Sequence, residues 1–244
     1  MMDYIISKPN FYSVTYSVNQ FQNITLAFSA IGMAICFGLY HFIKEKKKLS
    51  WGVTFVNSLI TSILSMVYIY RKKREIINYL NNGVGGYDLL GSNDDYSVLC
   101  CIWFAVMNIY DLLFGTICYS KYLGLFTAII HHPFYVWVMF AAVSGKIGFI
   151  QVSPFSSGIV FLFVEELPTF VMALGHIFPS FKTHLVYGIS FFLLRVCYHI
   201  GISYTGFVSE MDLVHVLLPM VPLAMHVYWF KEWLDKYGKK AITF

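Results

Sequence analysis

The sequence predicts an all-α integral membrane protein of about seven transmembrane helices, and three observations carry that prediction. Hydrophobic residues make up 58% of the 244 and charged residues only 12%, at a mean hydropathy of +0.64, whereas a soluble domain carries about 25% charged residues. Seven apolar stretches approach the roughly 20 residues that a helix needs to cross a hydrocarbon core about 30 Å thick. The connections between them are mostly too short to fold on their own. Together these exclude a cytosolic enzyme, a nucleic-acid binder and a disordered scaffold, so nucleic acid is not an expected partner.

The expected spans cover residues 24–43, 51–70, 97–120, 123–143, 155–174, 185–204 and 213–230. This gives a polar amino-terminal segment (1–23), a seven-helix transmembrane domain (24–230) and a basic carboxyl-terminal tail (231–244). Only residues 71–96 form a longer polar connection, where Asn81-Asn82-Gly83, Gly85-Gly86 and Ser92-Asn93-Asp94-Asp95 are turn signals. The net charge of +4 sits mostly in runs that flank spans, Lys44 to Lys48, Arg71 to Arg74 and Lys231 to Lys240. With the carboxyl terminus inside, ten Lys and Arg fall on the inner side against six outside. The bias predicts an outer amino terminus, although Arg71-Lys72-Lys73-Arg74 opposes it. The sequon Asn23-Ile24-Thr25 abuts the membrane and is expected to be unused. No cleavable signal peptide is expected, because residues 1–23 are polar and aromatic and the first apolar run is full length. Cys36, Cys100, Cys101, Cys118 and Cys197 have neither disulfide-framework nor zinc-site spacing.

The informative residues are the polar ones inside the spans. Asp111 lies in span three, His131 and His132 in span four, Glu165 and Glu166 in span five and Arg195 in span six. Facing lipid, the three carboxylates and the arginine would cost on the order of 10 kcal/mol together, so they are expected to face inward and meet. Residues four apart share a helix face. Thr127, His131 and Tyr135 form one stripe, Arg195, His199 and Ser203 another, Glu165 aligns with Thr169, and Asn108 neighbours Asp111. His131 rather than His132 is expected to point into the cavity, because Thr127 and Tyr135 share its face. Pro133 and Pro168 follow the His and Glu pairs, and such breaks are tolerated where they line a cavity.

A histidine oriented by a carboxylate suits acyl transfer. The structural alternative is a neutralised cluster that locks the bundle. Adjacent histidines are a poor metal pair on a helix, where ligands from one face sit three or four apart, so no metal site is expected. His41, His176 and His184 read as interfacial, while His215 and His226 could serve either way. Span seven has no central Lys, which removes a retinal Schiff base. Proton or ion transport also uses buried carboxylates and histidines, but the internal repeat that transporters favour is missing.

The ordered set Tyr110-Asp111-Leu112, Ile130-His131-His132, Glu165-Glu166-Leu167-Pro168-Thr169-Phe170 and Phe192-Leu193-Leu194-Arg195-Val196 resembles the TLC-domain membrane proteins, of which the ceramide synthases are the best characterised. The resemblance implies a six-helix barrel around a lipid cavity with one extra amino-terminal helix, an internal membrane such as the endoplasmic reticulum, a lumenal amino terminus and a cytosolic carboxyl terminus. Ceramide synthases carry two spaced aspartates after the His pair where this chain has adjacent glutamates, so it is more similar to the TLC-domain-containing proteins of lipid sensing, membrane composition and trafficking. Elongases of very long fatty acids use HxxHH, and Ala128 stands at the first of those positions. The resemblance implies catalytic roles for His131, His132 and Asp111, with an acyl group passing from acyl-CoA to a lipid acceptor. Glu165, Glu166, Arg195, Tyr135, Asn108 and His199 are the expected substrate-binding residues. Acyl-CoA is the expected co-substrate, membrane lipids are the expected partners, and no resident cofactor is expected. A non-catalytic lipid sensor, carrier or trafficking adaptor is the alternative.

Overall fold

The computed structural model describes residues 18–83, 85–124, 126, 130–147, 150–151, 155–181, 183–209, 211 and 213–238. Among the described residues, twelve α-helices run in chain order: α1 (Val18–Phe42), α2 (Lys46–Arg71), α3 (Lys73–Asn82), α4 (Gly86–Leu90), α5 (Asp95–Cys118), α6 (His132–Ser144), α7 (Ser156–Leu162), α8 (Glu166–Ile177), α9 (His184–Phe191), α10 (His199–Val208), α11 (Leu213–Leu217) and α12 (Met220–Trp233). A 3-10 turn, Phe163–Glu165, joins α7 to α8, and a π-helical segment, Phe192–Tyr198, joins α9 to α10. The only described strands, β1 (Lys146–Ile147) and β2 (Ile150–Gln151), pair antiparallel after Gly145 ends α6 in the left-handed conformation at φ 64°. This is an all-α integral membrane protein.

Among the described residues, six helical units are long and apolar enough to cross a bilayer: Asn19–Phe42, Lys46–Arg71, Asp95–Cys118, Ser156–Ile177, His184–Val208 and Leu213–Tyr237. They match expected spans one, two, three, five, six and seven. Span four is described as the 13-residue α6, and Thr127 of its expected stripe lies outside the described residues. Pro133 occupies the first turn of α6.

Three boundaries differ from the sequence reading. The connection 71–96 contains α3 and α4 as well as its turns, because α3 is amphipathic and carries Ile77 and Leu80 on its exposed surface. The first helix already includes Val18, inside the expected polar segment. The last continues through Trp233 into a π-helical turn, Leu234–Gly238, where Lys231 pairs with Asp235 at 2.7 Å. Hydropathy marks where lipid stops, and hydrogen-bonded helix runs past it.

The helix α1 packs outside, on α5 and α2, where Phe28 sits edge-on to Trp103 at 5.7 Å. The other membrane-crossing units surround the interior. Buried Ser58, Thr61, Ser62 and Ser65 let α2 approach α7 and α8 closely, and Ser65 Oγ donates to the Val160 carbonyl at 2.7 Å. Small hydroxylated residues do this work in membranes, because lipid supplies no hydrophobic drive between helices.

One end of the bundle is closed by a polar knot. Asp94 caps α5 with a reciprocal capping box: its side chain accepts from the Ser97 amide at 2.8 Å, and Ser97 Oγ accepts from the Asp94 amide at 3.1 Å. Tyr68 donates to Asp94 Oδ2 at 3.0 Å and lies 2.7 Å from Ser157 Oγ. Lys72 Nζ reaches Asp94 at 3.3 Å, Ser97 meets Ser156 at 2.7 Å, and Asn93 Nδ2 donates to the Val143 carbonyl at 3.1 Å.

Candidate functional site

The opposite half of the bundle, one turn in from Lys46 to Lys48, holds a cavity of about 950 Å³. Its walls come from α2, α5, α6, α8, α9 and α12. Asp111, Asn108, His131, His132, Glu166 and Arg195 all line it. The sequence placed these six in four separate spans, and the fold brings them to one chamber. Tyr228, Trp229, Phe191 and Met172 supply much of the remaining wall, so the chamber is polar on part of its surface and aromatic elsewhere.

Asp111 is the centre of the polar part. The Tyr119 hydroxyl makes a very short hydrogen bond to its Oδ1, and Thr54 Oγ1 lies 3.5 Å from Oδ2. His132 Nε2 stands 3.8 Å from Oδ2, an ion-pair distance longer than a hydrogen bond. Both His131 Nδ1 and His132 Nδ1 are buried without a hydrogen-bond partner among the described residues. Orphaned polar atoms of this kind are rare in folded proteins and cost about 1–3 kcal/mol each. The His131 ring packs edge-on to Tyr135 at 4.7 Å and Trp229 at 5.6 Å. Both histidines line the chamber, but His132 is the one that meets Asp111.

The floor is Arg195, held at the middle of the π-helical segment. Its Nε donates to the Glu165 carbonyl at 2.7 Å, and its Nη2 to Glu166 Oε1 at 3.2 Å and Thr169 Oγ1 at 2.5 Å. The 3-10 turn before Pro168 presents the two adjacent glutamates to different neighbours. Glu166 stays with Arg195 in the chamber, while Glu165 turns away toward α10 and α12.

Beyond this floor lies a narrower cavity of about 80 Å³, lined by Glu165, His199, Tyr135, Ser203 and His226 among apolar side chains. Glu165, Tyr135 and His199 therefore belong to this second compartment and not to the chamber of the His pair. His199 Nδ1 is 2.8 Å from Glu165 Oε1 and 3.0 Å from Oε2, and its Nε2 is 2.9 Å from the Pro219 carbonyl. A carbonyl only accepts, so Nε2 carries hydrogen. The Nδ1–carboxylate contact then needs one more proton shared between the two groups. His226 Nδ1 is 3.2 Å from the Arg195 carbonyl and 3.5 Å from Glu165 Oε2.

The sequence reading missed Thr54 and Asn57, which line the chamber, Tyr119, which binds Asp111, and the full engagement of His226. Thr54, Asn57, Ser58 and Thr61 recur at helical spacing on α2, so that face was visible in the sequence. Nothing in the sequence marks Tyr119 or the Pro219 carbonyl. Comparison with protein-family models, with curated proteins and with solved structures found no match to this chain, and the functional reading rests on the chamber itself.

Proposed function

We propose that this membrane-embedded protein handles lipids in the manner of the TLC-domain proteins it resembles, holding an amphipathic acyl ligand in the large chamber and transferring an acyl group from acyl-CoA to a lipid acceptor. The observation that carries the reading is the Asp111–His132 approach inside an aromatic-walled chamber of about 950 Å³, at the upper end of the usual size for small-ligand sites. With Nε2–H directed at Asp111, His132 keeps a lone pair on Nδ1 that no described protein group uses. That nitrogen would attack the thioester carbonyl, breaking the C–S bond and releasing CoA thiolate. The acyl-imidazole would then pass its acyl group to the acceptor, whose proton leaves with the thiolate as CoA thiol. Tyr119 and Thr54 orient Asp111, while Asn108 and the Arg195–Glu166 pair supply polar contacts for a headgroup.

The basic end of the bundle supports an anionic co-substrate. Trp51, on the chamber wall, stacks on His176 at 4.1 Å, and Lys47 and Lys236 stand within electrostatic range of His176. Together with the Lys and Arg bias, this favours chamber access from the cytosolic face of an internal membrane, with the carboxyl terminus on that side. One observation favours the non-catalytic alternative of a sensor, carrier or trafficking adaptor: both orphaned Nδ1 atoms are closed off from solvent, so attack requires the rings to turn.

Intact-mass and lipid-extract mass spectrometry of the purified protein, before and after incubation with long-chain acyl-CoA, tests the proposal. Acyl transfer predicts a mass increase of one acyl group or an acylated lipid product, absent in His132→Ala and reduced in His131→Ala. A co-purifying lipid retained by both variants, with no adduct or product from the wild type, favours the carrier.

A further inference from the structure

The compartment beneath Arg195 holds an arrangement that acyl transfer does not use. Glu165, His199 and His226 come from three different membrane-crossing units, and each brings one donor atom within 4.8 Å of the others. All three are at least nine-tenths buried, at 5%, 1% and 1% exposure. We propose that they form a transition-metal site, most suited to zinc, set in the membrane interior beside the acyl chamber.

Three features of geometry carry this. Donors about 2.1 Å from a tetrahedral zinc stand about 3.4 Å apart, and here the Nδ1 atoms of His199 and His226 lie 2.8 and 3.5 Å from the oxygens of one carboxylate; zinc at His226 Nδ1 would displace the proton that this nitrogen directs at the Arg195 carbonyl, 3.2 Å away. The outer nitrogen of His199 is already turned to the Pro219 carbonyl at 2.9 Å, the arrangement by which metal-bound imidazoles are fixed in tautomer and direction. Glu165 Oε2 shares a hydrogen bond with His199 Nδ1 at 3.0 Å, whereas Oε1 has no hydrogen-bond partner among the described residues, which leaves one carboxylate oxygen free for an ion. An ion there would take the place of the shared proton that the metal-free contact requires.

Charge and access agree. Arg195 pairs with the Glu166 carboxylate at 3.2 Å and bonds only the backbone carbonyl of Glu165, which leaves the Glu165 carboxylate to offset part of a divalent ion. Arg195 is itself held by Glu166 and Thr169 and borders both cavities. Two imidazoles and a carboxylate with a further position open is the donor set of hydrolytic zinc sites. The neighbouring cavity provides that open position, and Ser203 Oγ, one turn from His199 on its wall, has no hydrogen-bond partner among the described residues.

The test uses untagged, chelator-treated protein in detergent, exposed to zinc and then passed through a desalting column. Elemental analysis should return on the order of one zinc per chain, and added zinc should raise the melting temperature of the wild type. Glu165→Gln and His226→Asn should each weaken retention by at least about 100-fold. His132→Asn should bind zinc like the wild type while losing acyl transfer, which separates this site from the proposed lipid chemistry. Equal retention in the wild type and both ligand variants would mean an adventitious ion and overturn the proposal, as would a wild type that keeps no zinc and shows no thermal shift. Should the ligand variants fail to fold, X-ray absorption on the zinc-loaded wild type decides: imidazole scattering around the metal supports the site, and its absence refutes it.

Discussion

The two ends of this bundle bury similar polar chemistry and use it differently. At one end, Tyr68, Asp94, Ser97, Ser156 and Ser157 form a closed knot in which no side-chain atom is left over. At the other, Asp111, His131 and His132 border about 950 Å³ of space, with a nitrogen of each ring unpartnered among the described residues. Buried polarity alone therefore separates nothing. Satisfaction does: a saturated network specifies packing, while leftover donors and acceptors beside a cavity mark where a ligand completes the set.

The sharpest way to break this contrast is Arg195→Ala, which leaves the half-buried Glu166 carboxylate unpaired and the Glu165 carbonyl without its donor. It should destabilise the protein by about 3–5 kcal/mol, read as a large drop in melting temperature in micelles; a near-neutral result would show that the floor is wet. In the knot, Tyr68→Phe removes the bridge between Asp94 and Ser157 and should cost about 1–3 kcal/mol while leaving ligand retention unchanged. His132→Gln should do the reverse, costing less than about 1 kcal/mol because its ring is under-satisfied already, yet reducing bound lipid or product several-fold.

The smallest effect is with pH, and it belongs to the knot. Burial pushes the Asp94 carboxyl up, but the Ser97 amide, the Lys72 ammonium and the Tyr68 hydroxyl outweigh it and hold it below its ordinary 3.8. A carboxyl depressed in the folded state contributes stability above its unfolded value, and that stability is lost as pH falls through the lower folded one. The melting temperature should decline below about pH 4, with a shallower slope in Asp94→Asn. Equal slopes would remove Asp94 from the account.

Much of this was legible in the sequence, because the cost of charge in lipid forces polar residues of separate spans together. That rule points to Asp111, His132, Glu166 and Arg195, which all line the chamber. It could not divide the site into two compartments. Adjacent residues on a helix differ by about 100° in direction, and the 3-10 turn at Phe163–Glu165 decides which way each glutamate goes. Nor could it show Tyr119, which lies past the end of its helix and folds back onto Asp111. The helices α3 and α4 were hidden for another reason: segments of ten and five residues have neither the length nor the mean hydropathy of a span.

The wide segment Phe192–Tyr198 makes the site depend on residue count as well as residue identity. Such segments hold one residue more than an α-helix of the same length. Removing a single residue, Leu194 for instance, would let the segment tighten into ordinary helix and turn the half of the span beyond it by about 100°. His199 would swing off Glu165 and Ser203 off the inner cavity, with every side chain still present. A one-residue deletion here would thus erase the inner compartment as completely as replacing its histidines, whereas length is far less constrained in a loop that crosses no such register.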